Sequence, residues 1–82
     1  MRLKVLLFGR LHEFAGGVRE FECEVPGRAT VAAAWQAVTD RYPAASPYAG
    51  SVSAAVNAEF ARMTTEVGEG DEVAFLPPVA GG

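Results

Sequence analysis

The chain has 82 residues, half of them apolar and 21% charged, with a formal net charge of −3. That balance describes one small globular domain and argues against disorder. A single cysteine and the absence of any basic block exclude an intramolecular disulfide, a cysteine-based metal cluster and a nucleic-acid partner.

Arg2 to Phe8 reads as a first strand. Leu3, Val5 and Leu7 share one face, and Lys4, Leu6 and Phe8 the other. Its apolar run, Val5 to Phe8, is far too short for a signal peptide or a membrane span, so no membrane partner is expected and the expected location is cytoplasmic. Gly9 to Gly17 reads as a loop closed by Gly16-Gly17. Val18 to Val25 is a second strand, with Phe21, Cys23 and Val25 alternating against Glu20, Glu22 and Glu24. So clean an alternation predicts a half-buried, antiparallel strand.

Pro26-Gly27 ends that strand, and Thr30 is a plausible N-cap for a helix from Val31 to about Arg41. Val31, Ala34, Trp35, Val38 and Tyr42 recur at helical spacing and form one apolar stripe. Pro43 stops the helix, and Ala44 to Gly50 reads as a loop. Val52 to Val56 and Glu59 to Met63 are two further strands around Asn57-Ala58. A two-residue turn there carries strain at Ala58, because alanine tolerates positive φ poorly; a longer loop is the alternative. Thr64 to Gly70 is a turn region.

The last stretch, Asp71 to Gly82, begins as a strand and ends as a tail. Val73 and Phe75 alternate with Glu72, Ala74 and Leu76. Pro77-Pro78 then stops the ladder, since neither residue has an N–H. The prolines favour polyproline II at about 3.1 Å per residue, so Val79 to Gly82 can project roughly 12 Å beyond them. Residues 1–78 are thus expected to fold as one domain, with 79–82 as a flexible tail. Gly81 and Gly82 have no β-carbon, can thread a narrow slot and present an unhindered carboxylate.

The order ββαβββ needs its one helix to cover one face of one sheet. That predicts an α+β roll of the β-grasp, or ubiquitin-like, type, a mixed sheet whose first and last strands are parallel central neighbours. Leu3, Val5, Leu7, Val73 and Phe75 then face the helix. Lys4, Leu6, Phe8, Ala74 and Leu76 face away. Leu6, Phe8 and Leu76 form an apolar cluster without an internal partner, the kind of surface that marks an interface. A partner burying them would receive Pro77 and Pro78 at the mouth of its active site.

The ending Gly70-Asp71-Glu72-Val73-Ala74-Phe75-Leu76-Pro77-Pro78-Val79-Ala80-Gly81-Gly82 resembles that of the small subunit of molybdopterin synthase, the MoaD-like sulfur carriers. Val5 to Gly16 and Ala55 to Phe60 are similar to the same family. The resemblance implies that Gly82 is adenylated, becomes a thiocarboxylate and donates sulfur to a cyclic pyranopterin monophosphate. It implies two partners, a ubiquitin-activating-type adenylating enzyme and the large synthase subunit, which holds the active site and completes a heterotetramer. Val79 and Ala80 then enter the partner between Pro78 and Gly81. This chain has no phosphate-binding loop of P-loop spacing, so it is expected to bind no cofactor, ATP being used by the separate enzyme. The same activated glycine also suits a protein modifier forming isopeptide bonds, or a carrier for thiamine or another sulfur pathway.

Three other features have plainer readings. Cys23, between Phe21 and Val25, is a buried small hydrophobe. His12, where the family usually has arginine, is a solvated loop histidine, charged only part of the time near neutrality. The glutamate row is a solvated face that discourages edge pairing.

Overall fold

The structure is a computed structural model that describes residues 1–78. Strands β1 (Arg2–Leu7), β2 (Glu20–Glu24), β3 (Ser53–Val56), β4 (Glu59–Ala61) and β5 (Glu72–Leu76) form one sheet in the order β2-β1-β5-β3-β4. Helices α1 (Arg10–Phe14) and α2 (Val31–Arg41) and a 3₁₀ helix (Pro43–Tyr48) complete the fold. β1 and β5 pair in parallel, Val5 opposite Val73 and Leu7 opposite Phe75; the other pairings are antiparallel. This is the β-grasp arrangement expected from the strand order. None of the helices is long and apolar enough to cross a membrane.

The core follows from the alternation. Leu3, Val5, Val73 and Phe75 are fully buried and Leu7 nearly so. They meet Val31, Ala34, Trp35 and Val38 from α2, also buried. The Trp35 ring stands edge-on to Phe75, centroids 5.0 Å apart. Its Nε1 is buried with no hydrogen-bond partner among the described residues, so the indole works here as an apolar body. Phe21 closes the β2 side, edge-on to Tyr42 and under the Arg41 guanidinium, which lies 4.4 Å from its ring centre.

Three local expectations need correction, and a fourth, the β3–β4 turn, is met. The stretch after Gly9 is not all loop: Arg10–Phe14 makes a short helix whose Leu11 is buried. Five residues are too few to show a periodic stripe. Pro43 ends α2 but starts the 3₁₀ helix, whose Ala45 is buried and whose Tyr48 stacks near Phe14 at 5.1 Å. Proline at a first helical position lacks only an N–H that has no partner anyway. Thr30 is the N-cap residue of α2, yet its side chain makes no capping bond. The Val31 and Ala32 N–H groups donate instead to the backbone carbonyls of Thr65 and Met63, each at 2.9 Å. The β3–β4 connection is the tight two-residue turn, with φ 50° at Asn57 and 71° at Ala58. The expected tight turn is therefore the one adopted, with its strain at Ala58.

Candidate functional site

The sheet face away from α2 carries the candidate site. Strand register places Glu20, Leu6, Ala74, Ala55 and Phe60 abreast across all five strands. Two alanines make a floor between two large side chains. The result is a shallow apolar trough of about 260 Å³, lined by Leu6, Phe8, Ala55, Ala58, Phe60, Glu72, Ala74 and Leu76. Phe60 is 85% exposed and Phe8 47%, while Leu6 and Leu76 are half-buried. So much open apolar surface is unusual for a domain whose other large hydrophobic side chains are covered.

Leu6 and Phe8 also wall a second hollow of about 260 Å³ on their other side, with Leu7, Gly9, His12, Arg19 and Glu20. His12 is therefore half-buried on α1 rather than loose in a loop. The acidic row beyond is partly neutralised, Lys4 Nζ bonding Glu20 at 2.9 Å and Arg2 bonding Glu24 at 3.1 Å. The Glu20 hydrogen bond and charge hold the Lys4 ammonium above its usual range. Glu22 has no ion pair among the described residues.

The tail leaves from the end of the trough. Leu76 is both a lining residue and the last residue of β5, and Pro77 follows it directly. Pro77 is half-buried and Pro78 exposed. Gly9, with φ 55° and ψ −133°, lies against the Pro77 ring. Val79, Ala80, Gly81 and Gly82, expected to enter the partner and carry its chemistry, lie outside the described residues.

Leu6, Phe8 and Leu76 thus come together as the alternation requires, with Pro77 and Pro78 adjoining. Phe60, Ala55 and Ala58 were missed. Their signal was present: a two-residue turn at Asn57-Ala58 pairs Val56 with Glu59 and so Ala55 with Phe60, on the face of Ala74. Cys23 is half-buried rather than buried, in a separate open hollow with Arg2, Glu22, Glu24 and Arg41. Burial pushes its thiol up, so it is a poor nucleophile.

A β-grasp roll whose main helix, α2, covers one sheet face, with prolines leading from β5 beside the open apolar face, defines a ubiquitin-like protein. The chain belongs to the ThiS family, which matches residues 5–82, and is a sulfur-carrier homologue of the MoaD-like kind. It is 35% identical to the molybdopterin synthase sulfur carrier subunit of Mycobacterium tuberculosis, over 100% of this chain and 99% of that one. Among solved structures it is similar to SAMP1 from Haloferax volcanii, with 32% identity, a TM-score of 0.87 and full coverage of both chains. It is also similar to a putative molybdopterin converting factor subunit 1 from Pyrococcus furiosus, with 30% identity and a TM-score of 0.83, covering 96% of this chain and 99% of that one.

Proposed function

We propose that this chain is the sulfur-carrier subunit of a molybdopterin synthase and that Gly82 carries the sulfur. The observation that carries this reading is the continuity of the apolar trough with the root of the tail at Leu76 and Pro77. A partner that fills the trough receives whatever follows Pro78. The relationship to a subunit of that name in Mycobacterium tuberculosis supports this reading of the pathway.

The chemistry follows from the carboxylate. It is ionised in the cell and a poor electrophile in that form. Attack of a carboxylate oxygen on the α-phosphorus of ATP releases pyrophosphate and leaves an acyl-adenylate. A sulfur nucleophile then displaces AMP, and the glycine ends as a thiocarboxylate. The adenylation falls to a separate ubiquitin-activating-type enzyme, which binds the ATP. The large synthase subunit then takes the tail and moves its sulfur to the cyclic pyranopterin monophosphate. A dithiolene holds two sulfurs, so each product needs two deliveries. In this scheme the chain is a donor, and the catalytic groups are the partner's.

Intact mass of the protein purified from its own cells tests this directly. The expected result is a species with one sulfur in place of one oxygen at Gly82. Protein carrying only the carboxylate in cells that are making molybdopterin overturns the reading.

The likeness to SAMP1, a small archaeal modifier protein, favours a second use of the same glycine, isopeptide bonds to target lysines. Higher-mass covalent adducts in a lysate blot, abolished by deleting Gly82, distinguish it.

A further inference from the structure

Ala58 breaks a backbone rule at the rim of the trough. Its φ of 71° lies where an L-residue's β-carbon crowds the following carbonyl, and glycine is the usual second residue of such a turn. Asn57, at φ 50°, is suited to that region.

The turn is held from outside. The Asn57 N–H donates to the Glu72 carbonyl at 2.8 Å, and Asn57 Oδ1 accepts the Glu72 N–H at 3.0 Å. Asn57 Nδ2 donates to Asp71 Oδ1 at 3.0 Å, and Asp71 Oδ2 accepts the Gly68 N–H at 2.7 Å. The first three bonds clamp Asn57 against the start of β5, and the fourth fixes the Asp71 carboxylate that takes part in the clamp. They hold the turn that leaves its next residue, Ala58, at positive φ.

The Ala58 methyl adds nothing to the core. Ala58 is exposed and stands outside the buried cluster. What it does line is the trough, with Leu6, Phe8, Ala55, Phe60, Ala74 and Leu76. Strain retained at a position that does not serve packing points to a surface role.

We infer that Ala58 is a partner contact, its methyl closing the Glu72 end of the trough against the docked subunit at a backbone position that favours glycine. The inference rests on the reading of the trough as the docking face. It makes Ala58 a determinant of how tightly the partner seats, with the Asn57–Asp71 clamp as the device that presents it.

The test is calorimetric titration of the wild-type chain, Ala58→Gly and Ala58→Asn into the molybdopterin synthase large subunit of the same organism, paired with thermal melts of each carrier alone. Both substitutions suit positive φ, so both variants are expected to melt at or above the wild type. Ala58→Gly removes about one methyl of apolar contact and is expected to bind about 4-fold more weakly. Ala58→Asn is expected to bind more weakly still, because its amide enters an apolar hollow without a partner. Unchanged affinity in both variants overturns the inference, and so does a lowered melting point for Ala58→Gly. A wild-type chain that gives no binding heat fails the docking reading itself, and the inference falls with it.

Discussion

A β-carbon built on Gly9 would stand 2.8 Å from Pro77 Cγ and 3.3 Å from Cδ, so the chain after β1 and the root of the tail meet at a place only glycine fits. The Phe8 N–H donates to the Phe75 carbonyl at 3.1 Å, which extends the β1–β5 pairing one residue and delivers Gly9 to Pro77. Gly9 also needs its φ of 55° to turn into α1.

Gly9→Ala is therefore expected to act twice. At φ 55° and ψ −133° the backbone lies in a region alanine rarely adopts, at a cost of about 1–3 kcal/mol, which lowers the melting point by about 4–8 °C for each kcal/mol. Pro77 must also shift, which re-aims the tail. Sulfur transfer should slow even at saturating partner and at a temperature where the variant is fully folded. Single-turnover transfer beside a thermal melt checks this. A lower melting point with an unchanged transfer rate makes Gly9 a residue of the fold alone.

Phe8 and Phe60 wall the trough from opposite sides and stay 47% and 85% exposed in the lone domain. Burying such anchors gives an interface most of its energy. Phe8→Ala and Phe60→Ala should each weaken the complex with the large subunit by about 2 kcal/mol or more. Neither should much lower the melting point of the free chain, since neither belongs to the core. Titration of each variant, with melts alongside, measures both quantities. Full affinity in both variants would remove the trough from the docking site.

Most of the fold was legible because its signals are local. The period-2 faces of Leu3-Val5-Leu7 and Val73-Phe75 and the stripe from Val31 to Val38 each lie within one element, and each is buried as read. Leu6, Phe8 and Leu76 followed from the same alternation. What was missed depends either on residues far apart in the chain or on segments too short to show a period. The first turn of α2 is satisfied by carbonyls of Met63 and Thr65, over thirty residues later, so the Thr30 hydroxyl goes unused. Phe60 looked like one more strand residue until the β3–β4 register set it beside Ala55 and Ala74. The α1 segment shows only Leu11 to the core, too little pattern to distinguish a helix from a loop.

Asp71 makes stability depend on acidity. The Gly68 N–H first, and the Asn57 amide second, stabilise its charged form and hold its carboxyl below the usual carboxylate range. A depressed native pKa contributes stability that is complete above the unfolded-state value, near 3.9, and is lost as pH falls through the native value. Asp71 is half-buried and its hydrogen bonds lie open to solvent, so the contribution is screened to about 1 kcal/mol. Asp71→Asn should therefore melt about 4–8 °C below wild type at pH 6, with the gap narrowing below about pH 4. Melts of both proteins across that range decide it. A gap that stays constant would mean that the carboxylate charge plays no part in holding the turn.

Gly81 and Gly82 are expected to separate function from fold. Among the described residues the buried cluster runs from Leu3 to Phe75, and β5 ends at Leu76, so the described core lies ahead of the glycines in the chain. Deleting Gly82 should leave the melting point unchanged and abolish sulfur transfer, since it removes the reacting carboxylate from its place. Gly81→Ala is the finer probe. It keeps the carboxylate and adds one methyl, which a slot shaped for a chain without β-carbons excludes. Adenylation or transfer should slow, again with no change in stability. Measuring the two steps separately shows which partner owns the narrower slot: a slower adenylation points to the activating enzyme, and a slower transfer to the large subunit. Unchanged rates in both steps would sink the slot argument, and a lowered melting point in either variant would show that the glycines support the fold.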